Sequence, residues 1–296
     1  MTRSTNILPP AKIAVVGLGN MGHPMAACLA RAGYRVIGFD TSAGARAKYA
    51  STGGAATADA AEAVSDAQVV ITLLPDGKIV RMAIDSMKPL LAPGTVLIDM
   101  SSSAPVGTKA LGGELVAAGF EFIDAPVSGG VKRAVNGTLA IMVGGDSRTF
   151  EKVRPVLDAM GKSIFHAGPL GAGHAAKALN NYVSAAGLAA AVEALAIGDR
   201  FGIDPNALVD IFNASTGRNN STENKLKQFV IPEKFTSGFS LALMAKDIRT
   251  ADDLARQIGV AAPLADEVAS LWDGALKSLG PSADHTEIGR HLTAKR

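Results

Sequence analysis

The stretch GAGHAAKALNN, residues 171–181, is mostly alanine and glycine but carries one lysine, and it runs into the almost wholly apolar YVSAAGLAAAVEALAIG. Ammonium groups are seldom taken out of water without a partner or a task. Lys177, Asn181 and Ser184 are spaced four and then three residues apart, so a helix presents all three on one face. An apolar neighbourhood disfavours the charged form of a lysine and brings its pKa toward working pH, which suits a group that takes and returns a proton. The alternative for Lys177 is a helix-start lysine that reaches out to water. His174 is the nearest imidazole, but the five histidines show no metal-ligand spacing, so no metal site is expected.

A second cluster lies near the N-terminus. GLGNMG, from Gly17 to Gly22, directly follows the apolar run KIAVVG and opens a helical segment. In the G-x-G-x-x-G arrangement Gly17 makes the tight turn, Gly19 lets backbone approach a pyrophosphate and Gly22 allows close helix–strand packing. Leu18, Asn20 and Met21 fill the loop between them. RVIGFD ends in Asp40, 18 residues after Gly22, close to the spacing of an acid that accepts from the adenosine ribose hydroxyls. Asp40 would repel a 2′-phosphate, and Arg46 is the nearest arginine beyond it. NAD is therefore the expected cofactor, with NADP possible.

The elements that must position these groups follow from pattern. Short Val- and Ile-rich runs begin at Lys12, Arg35, Val69, Thr95, Phe120, Leu139 and Ser163; they alternate with helix-compatible segments and mostly lack polar alternation. Such strands are covered on both faces and form a doubly wound α/β sheet. After Gly168 no convincing strand follows. Helices are expected from Asp204-Pro205 to near Gly217, over LALMAKDIRTADDLARQIG to Gly259, and from Pro263 to Gly280, with a capping box at Asp284–Glu287 before a last short helix. The expected organisation is a flexible tail over residues 1–10, a Rossmann domain over 11–170 and an all-helical domain over 171–296, the two joined by a long helix over 171–202.

Composition limits the partners. The 296 residues are 48% hydrophobic and 19% charged, with net charge +2 and no basic block, which argues against nucleic acid and against an anionic membrane. Cys28 is the only cysteine, so disulfide scaffolds and cysteine zinc sites are excluded. No apolar segment of signal-peptide length opens the chain, and Glu193 interrupts the longest apolar run. A cytoplasmic enzyme is expected, with the apolar helix packed against a second subunit in a homodimer or homotetramer.

With these motifs in place, the sequence resembles the β-hydroxyacid dehydrogenase family, which includes 3-hydroxyisobutyrate dehydrogenases and tartronate semialdehyde reductases. VVGLGNMGHPMAACLARAGY resembles the N-terminal signature, although Cys28 replaces the usual asparagine. DAPVSGG (124–130) resembles the substrate loop, GAGHAAKALNN the catalytic segment and MAKDIRTA (244–251) the C-terminal lysine-aspartate motif. The resemblance implies a Rossmann domain followed by a helical domain, with NAD(P)-dependent interconversion of a short β-hydroxy acid and its semialdehyde. It implies that Leu74, Pro75 and Ser102 line the cofactor site and that Ser128, Gly129 and Gly130 bind the substrate carboxylate. It further implies that Lys177 is catalytic, that Asn181 holds the substrate hydroxyl and that Lys246 reaches the cofactor.

The segment STGRNNSTENK (215–225) keeps Gly217 and Arg218 of the 3-hydroxyisobutyrate pattern but has Asn219 and Asn220 where that pattern has cysteine and tryptophan. A more polar substrate is the expectation. Competing readings are an imine-reducing enzyme, which generally lacks the lysine, and a non-catalytic NAD(H) sensor. 6-Phosphogluconate dehydrogenases resemble the Lys177 segment but have a far longer helical region.

Overall fold

The computed structural model describes residues 6–293. The chain divides into two compact units, the first ending at Lys177 and the second starting at Ala178.

The first unit contains a nine-stranded sheet: β1 Lys12–Val16, β2 Arg35–Phe39, β3 Ala55–Thr57, β4 Val69–Thr72, β5 Val96–Asp99, β6 Glu121–Asp124, β7 Val127–Ser128, β8 Leu139–Gly145 and β9 Gly161–Gly168. Its helices are α1 Gly22–Arg31, α2 Ala43–Ala50, α3 Ala60–Val64, α4 Gly77–Met87, α5 Pro105–Ala117, α6 Gly130–Asn136 and α7 Ser147–Asp158. The strand order is β3-β2-β1-β4-β5-β6-β8-β7, with β9 paired to β8. From β3 to β6 every pairing is parallel, whereas β8 runs antiparallel to both β6 and β7. This is the doubly wound arrangement expected, closed by a reversed strand that hydropathy could not orient. The short β3 and β7 were not expected; three and two residues are too few to register as an apolar run.

β1 lies between β2 and β4, and Val16 pairs with both Phe39 and Thr72. The loops after the three strands therefore open at one edge of the sheet, where the chain switches direction and ligands bind in such folds. Apolar layers cover both faces. Met25 and Leu29 of α1 and Val153 and Leu157 of α7 join one core, and Val80 and Ile84 of α4 and Leu111 and Leu115 of α5 join the other.

Residues 1–5 of the expected tail lie outside the described residues, as do residues 294–296. The rest of the tail is anchored, which corrects the expectation of flexibility through residue 10. Ile7 is buried in the sheet core, its N–H donates to the Lys152 carbonyl and its own carbonyl accepts from the Tyr34 hydroxyl.

Helix α8, Ala172–Phe201, is 30 residues long and spans the division between the units. Its composition and length would suit a membrane span. In the second unit, however, its Ala185, Leu188, Val192 and Leu195 form a core with Leu241, Met244 and Ile248 of α11 (Leu241–Gln257) and with Val268 and Trp272 of α12 (Pro263–Leu279). The other helices here are α9 Pro205–Ala214, α10 Asn220–Asn224 and α13 Ile288–Thr293. The expected caps are present: Asp204 accepts from Ala207 N–H, and Asp284 with Glu287 forms the capping box before α13. Helix α9 stops at Ala214, three residues short of Gly217, because a new N-cap at Asn219 starts α10.

Candidate active site

The glycine loop has the steric logic of a dinucleotide cradle. Gly17 has φ +102°, and a Cβ there would lie 2.3 Å from the Leu73 carbonyl oxygen. A Cβ on Gly22 would lie 1.8 Å from the Gly17 oxygen, so the first turn of α1 can meet the loop only with glycine. A Cβ on Gly19 would meet nothing within 4 Å: the tight turn makes no demand for glycine here, and the space in front of it is open to a phosphate. These residues fit a bound dinucleotide. Asp40 is locked beside them, Oδ2 accepting from Leu18 N–H and Oδ1 from Ser42 N–H, each at 2.8 Å. Arg46 is closer than its sequence distance implied. The first turn of α2 brings its guanidinium back to donate to the Asp40 and Thr41 carbonyls, at 2.7 and 3.1 Å.

Leu74 follows β4, and its N–H donates to Ser101 Oγ at 2.9 Å. Pro75 comes next, before Asp76 caps α4. Ser102 is half-buried between two serines that hold the chain: Ser101 N–H and Ser103 Oγ both donate to the buried Asp99 carboxylate, which Thr72 Oγ1 also reaches. On the far side of the unit, Ser128 is half-buried in β7. Gly129 follows with φ +128° as the N-cap of α6, and Gly130, its first residue, has φ +67°. Consecutive residues of this kind can turn successive N–H groups toward one anion.

Two acids, present in the motifs DAPVSGG and MAKDIRTA but given no role of their own in the sequence reading, fix the helix bearing Lys177 and Asn181. Asp124, wholly buried, accepts from Gly171 N–H and His174 N–H at 2.8 Å each and so caps the start of α8. Burial pushes its carboxyl up, and nearby His174 offsets part of that. His174 itself is a satisfied core imidazole, with Nδ1 against Thr108 Oγ1 at 2.9 Å and Nε2 against the Ser101 carbonyl at 3.1 Å. Lys177, half-buried, follows within one turn. In the second unit the buried Asn181 donates from Nδ2 to Asp247 Oδ2 at 2.6 Å, and its Oδ1 accepts from Asn180. Asp247 is the neighbour of Lys246 on α11, which is half-buried. Their sequence signal was membership of DAPVSGG and of the lysine-aspartate motif MAKDIRTA, which did not reveal which N–H or amide each carboxylate would meet.

The segment after α9 differs from its sequence reading. Asn219 packs against α8, 3.5 Å from where a Cβ on Gly187 would stand, but its Oδ1 accepts from Ser221 and Thr222 N–H as a helix cap. Asn220 is exposed. The polar group that this segment brings to α8 is Lys225, whose Nζ donates to Ser184 Oγ at 3.2 Å. Burial draws the Lys225 ammonium down to about 8, against a partial offset from Asp284. His285, next to Asp284, is drawn down to about 4 by burial and by the Lys225 charge.

Comparison with known proteins agrees with this architecture. Residues 12–168 match the NAD binding domain of 6-phosphogluconate dehydrogenase, and residues 171–292 match the NAD-binding domain of NADP-dependent 3-hydroxyisobutyrate dehydrogenase. A probable 3-hydroxyisobutyrate dehydrogenase of Mycobacterium tuberculosis is 39% identical over 266 residues, covering 88% of this chain and 90% of that protein. The 2-(hydroxymethyl)glutarate dehydrogenase of Eubacterium barkeri is 35% identical over 266 residues, covering 89% and 88%. The solved structure of M. tuberculosis 3-hydroxyisobutyrate dehydrogenase with L-serine superposes with a TM-score of 0.91 at 36% identity, covering 97% of this chain and all of that one. The chain belongs to the β-hydroxyacid dehydrogenase family, NAD(P)-dependent oxidoreductases that act on the CH–OH group of short hydroxy acids.

Proposed function

We propose that Lys177 carries the proton in this oxidation and that NAD is preferred over NADP. The observation behind the first part is the anchoring of α8. Lys177 and Asn181 stand one turn apart on a helix whose start is capped by buried Asp124 and whose Asn181 is fixed by buried Asp247. Such anchoring holds both side chains in one orientation before substrate arrives, which is where much of a catalytic advantage comes from.

The nicotinamide of the bound cofactor supplies the hydride acceptor or donor. Lys177 Nζ takes the proton from the substrate hydroxyl in oxidation, and in reduction it returns a proton to the same oxygen. Asn181 Nδ2 is held by Asp247 and orients that oxygen toward the lysine. Ser128 and the N–H groups of Gly129 and Gly130 take the substrate carboxylate, and Lys246 contributes to cofactor binding. The Asp40 carboxyl group at the end of β2 is favourable to ribose hydroxyls and hostile to a 2′-phosphate.

Self-association belongs to the same reading. Leu179, Val183, Ile197 and Phe201 form an exposed apolar stripe along α8, with Val183 67% and Phe201 85% accessible. A second copy of the chain is the proposed occupant. The central test is NAD⁺ reduction with a panel of small hydroxy acids by wild type and Lys177→Ala. The variant should lose about 10²–10⁴-fold in kcat, the range of positioned acid–base groups, while NADH binding by fluorescence is retained. Equal turnover by the two proteins would remove Lys177 from the chemistry, and binding of NADH without turnover by wild type would favour the sensor.

A further inference from the structure

Lys225 is a charge in an unusual setting. The chain leaves α10 at this residue with φ −130° and ψ −43° and enters a π-turn over Leu226–Val230. Its carbonyl accepts from both Phe229 N–H and Val230 N–H, at 2.9 and 3.3 Å, and the next side chain, Leu226, is wholly buried in the helical core. The backbone is thus pinned on both sides of Lys225. The effect here is to direct the lysine toward α8.

The ammonium is poorly satisfied where it ends. It is half-buried, can donate three hydrogen bonds, and among the described residues makes one, to the neutral hydroxyl of Ser184. The nearby carboxylate, Asp284, is committed elsewhere: it accepts from Ser237 Oγ, Gly238 N–H, Thr286 N–H and Thr286 Oγ1. It forms no ion pair with Lys225 within 4.0 Å among the described residues. A desolvated cation with spare donors is costly unless an anion completes it. Ser184 lies three residues beyond Asn181, or about 4.5 Å along the helix at ~1.5 Å per residue. A substrate held at Asn181 would need to extend by only a few carbon–carbon bonds to reach Ser184.

We propose that Lys225, seated against Ser184, is a specificity-determining residue that binds a second carboxylate at the distal end of the substrate. The enzyme accordingly favours dicarboxylic β-hydroxy acids over 3-hydroxyisobutyrate. The inference rests on the proposed role of the Lys177–Asn181 face and adds a substrate class to it. The seated lysine complements an anion, and the closed-off polarity of Asn219 explains why the neighbouring amides do not do this work.

The test compares 3-hydroxyisobutyrate with 2-(hydroxymethyl)glutarate, which carries a carboxyethyl group in place of the methyl. Both are assayed as NAD⁺ reduction by wild type, Lys225→Met, Lys225→Arg and Lys177→Ala. Wild type should favour the diacid in kcat/KM by tenfold or more. Lys225→Met should lower kcat/KM for the diacid at least tenfold further than for the monoacid, chiefly through KM, as loss of one charge-assisted hydrogen bond implies. Lys225→Arg should recover most of the diacid preference, which separates lost charge from lost folding. Equal losses on both substrates, or an undiminished preference in Lys225→Met, would overturn the assignment while leaving Lys177 dependence intact. Turnover that is indifferent to Lys177→Ala would instead remove the underlying site, and this inference with it.

Discussion

His285 links a buried hydrogen-bonding pattern to a measurable pH response. Its imidazole is 3% exposed and lies edge-on to Phe239, with ring centroids 5.7 Å apart. Nδ1 is 3.1 Å from the Phe239 carbonyl and 2.9 Å from Ser237 Oγ, so the neutral ring with its proton on Nδ1 can donate there. Nε2 is buried with no hydrogen-bond partner among the described residues, and a proton added to it would create an ion with an unmet donor beside the Lys225 ammonium. Asp284 favours the charged ring but is outweighed, and the group sits at about 4 rather than 6.5. The folded protein therefore binds this proton less readily than the unfolded chain. Stability contributed by the neutral ring is fully present above the unfolded value and is lost as pH falls from about 6.5 toward 4. Between pH 7.5 and pH 5 that difference amounts to about 2 kcal/mol. At a urea slope of about 2–3 kcal/mol/M, it is a midpoint shift of roughly 0.7–1 M. Urea unfolding of wild type and His285→Gln at both pH values isolates it, because every other titrating group is common to the two proteins. Wild type should lose about 2 kcal/mol more than the variant on acidification. Parallel losses would refute the reasoning and place the proton on a ring that the fold tolerates charged.

Three further outcomes follow from named contacts. Asp40→Ser removes the carboxyl group proposed to meet the ribose while leaving Arg46 at the same turn; NADP⁺ should gain at least tenfold in relative kcat/KM, and an unchanged cofactor ratio would mean that Asp40 does not discriminate. Asp124→Asn keeps the shape of the α8 cap but loses a charged acceptor of two N–H groups, a cost of about 2 kcal/mol. In scanning calorimetry the unfolding midpoint should fall by roughly 4–8 °C; an unaltered midpoint would mean that the cap does not anchor the helix. Val183→Asp with Ile197→Asp places two charges on the exposed stripe of α8, and light scattering should report a smaller assembly than wild type. The same mass for both proteins would mean that the stripe is not a contact between copies.

Much of this architecture could be read along the chain because its signals are local. Apolar runs fully covered on both faces, the glycines of Gly17–Gly22, and caps such as Asp204 and Asp284 act over a few residues, so type and spacing are enough to reveal them. The spacing of Lys177, Asn181 and Ser184 belongs to the same class, since helical periodicity alone puts them on one face. Tertiary structure decided what depends on residues far apart. The reversal of β8 is a pairing choice that no hydropathy run encodes. Asp124 becomes the cap of α8 across 47 residues, and Asp247 becomes the partner of Asn181 across 66. Arg46 turns back onto Asp40, and Asn219 directs its amide oxygen into a helix cap. Lys225 showed no motif at all: its meaning comes from a π-turn, a serine 41 residues away and a carboxylate already occupied. Sequence determined which elements form and which side chains share a helix face, because those are short-range consequences of backbone geometry. Only folding could decide which buried charge meets which partner, because desolvation and pairing are properties of the packed interior.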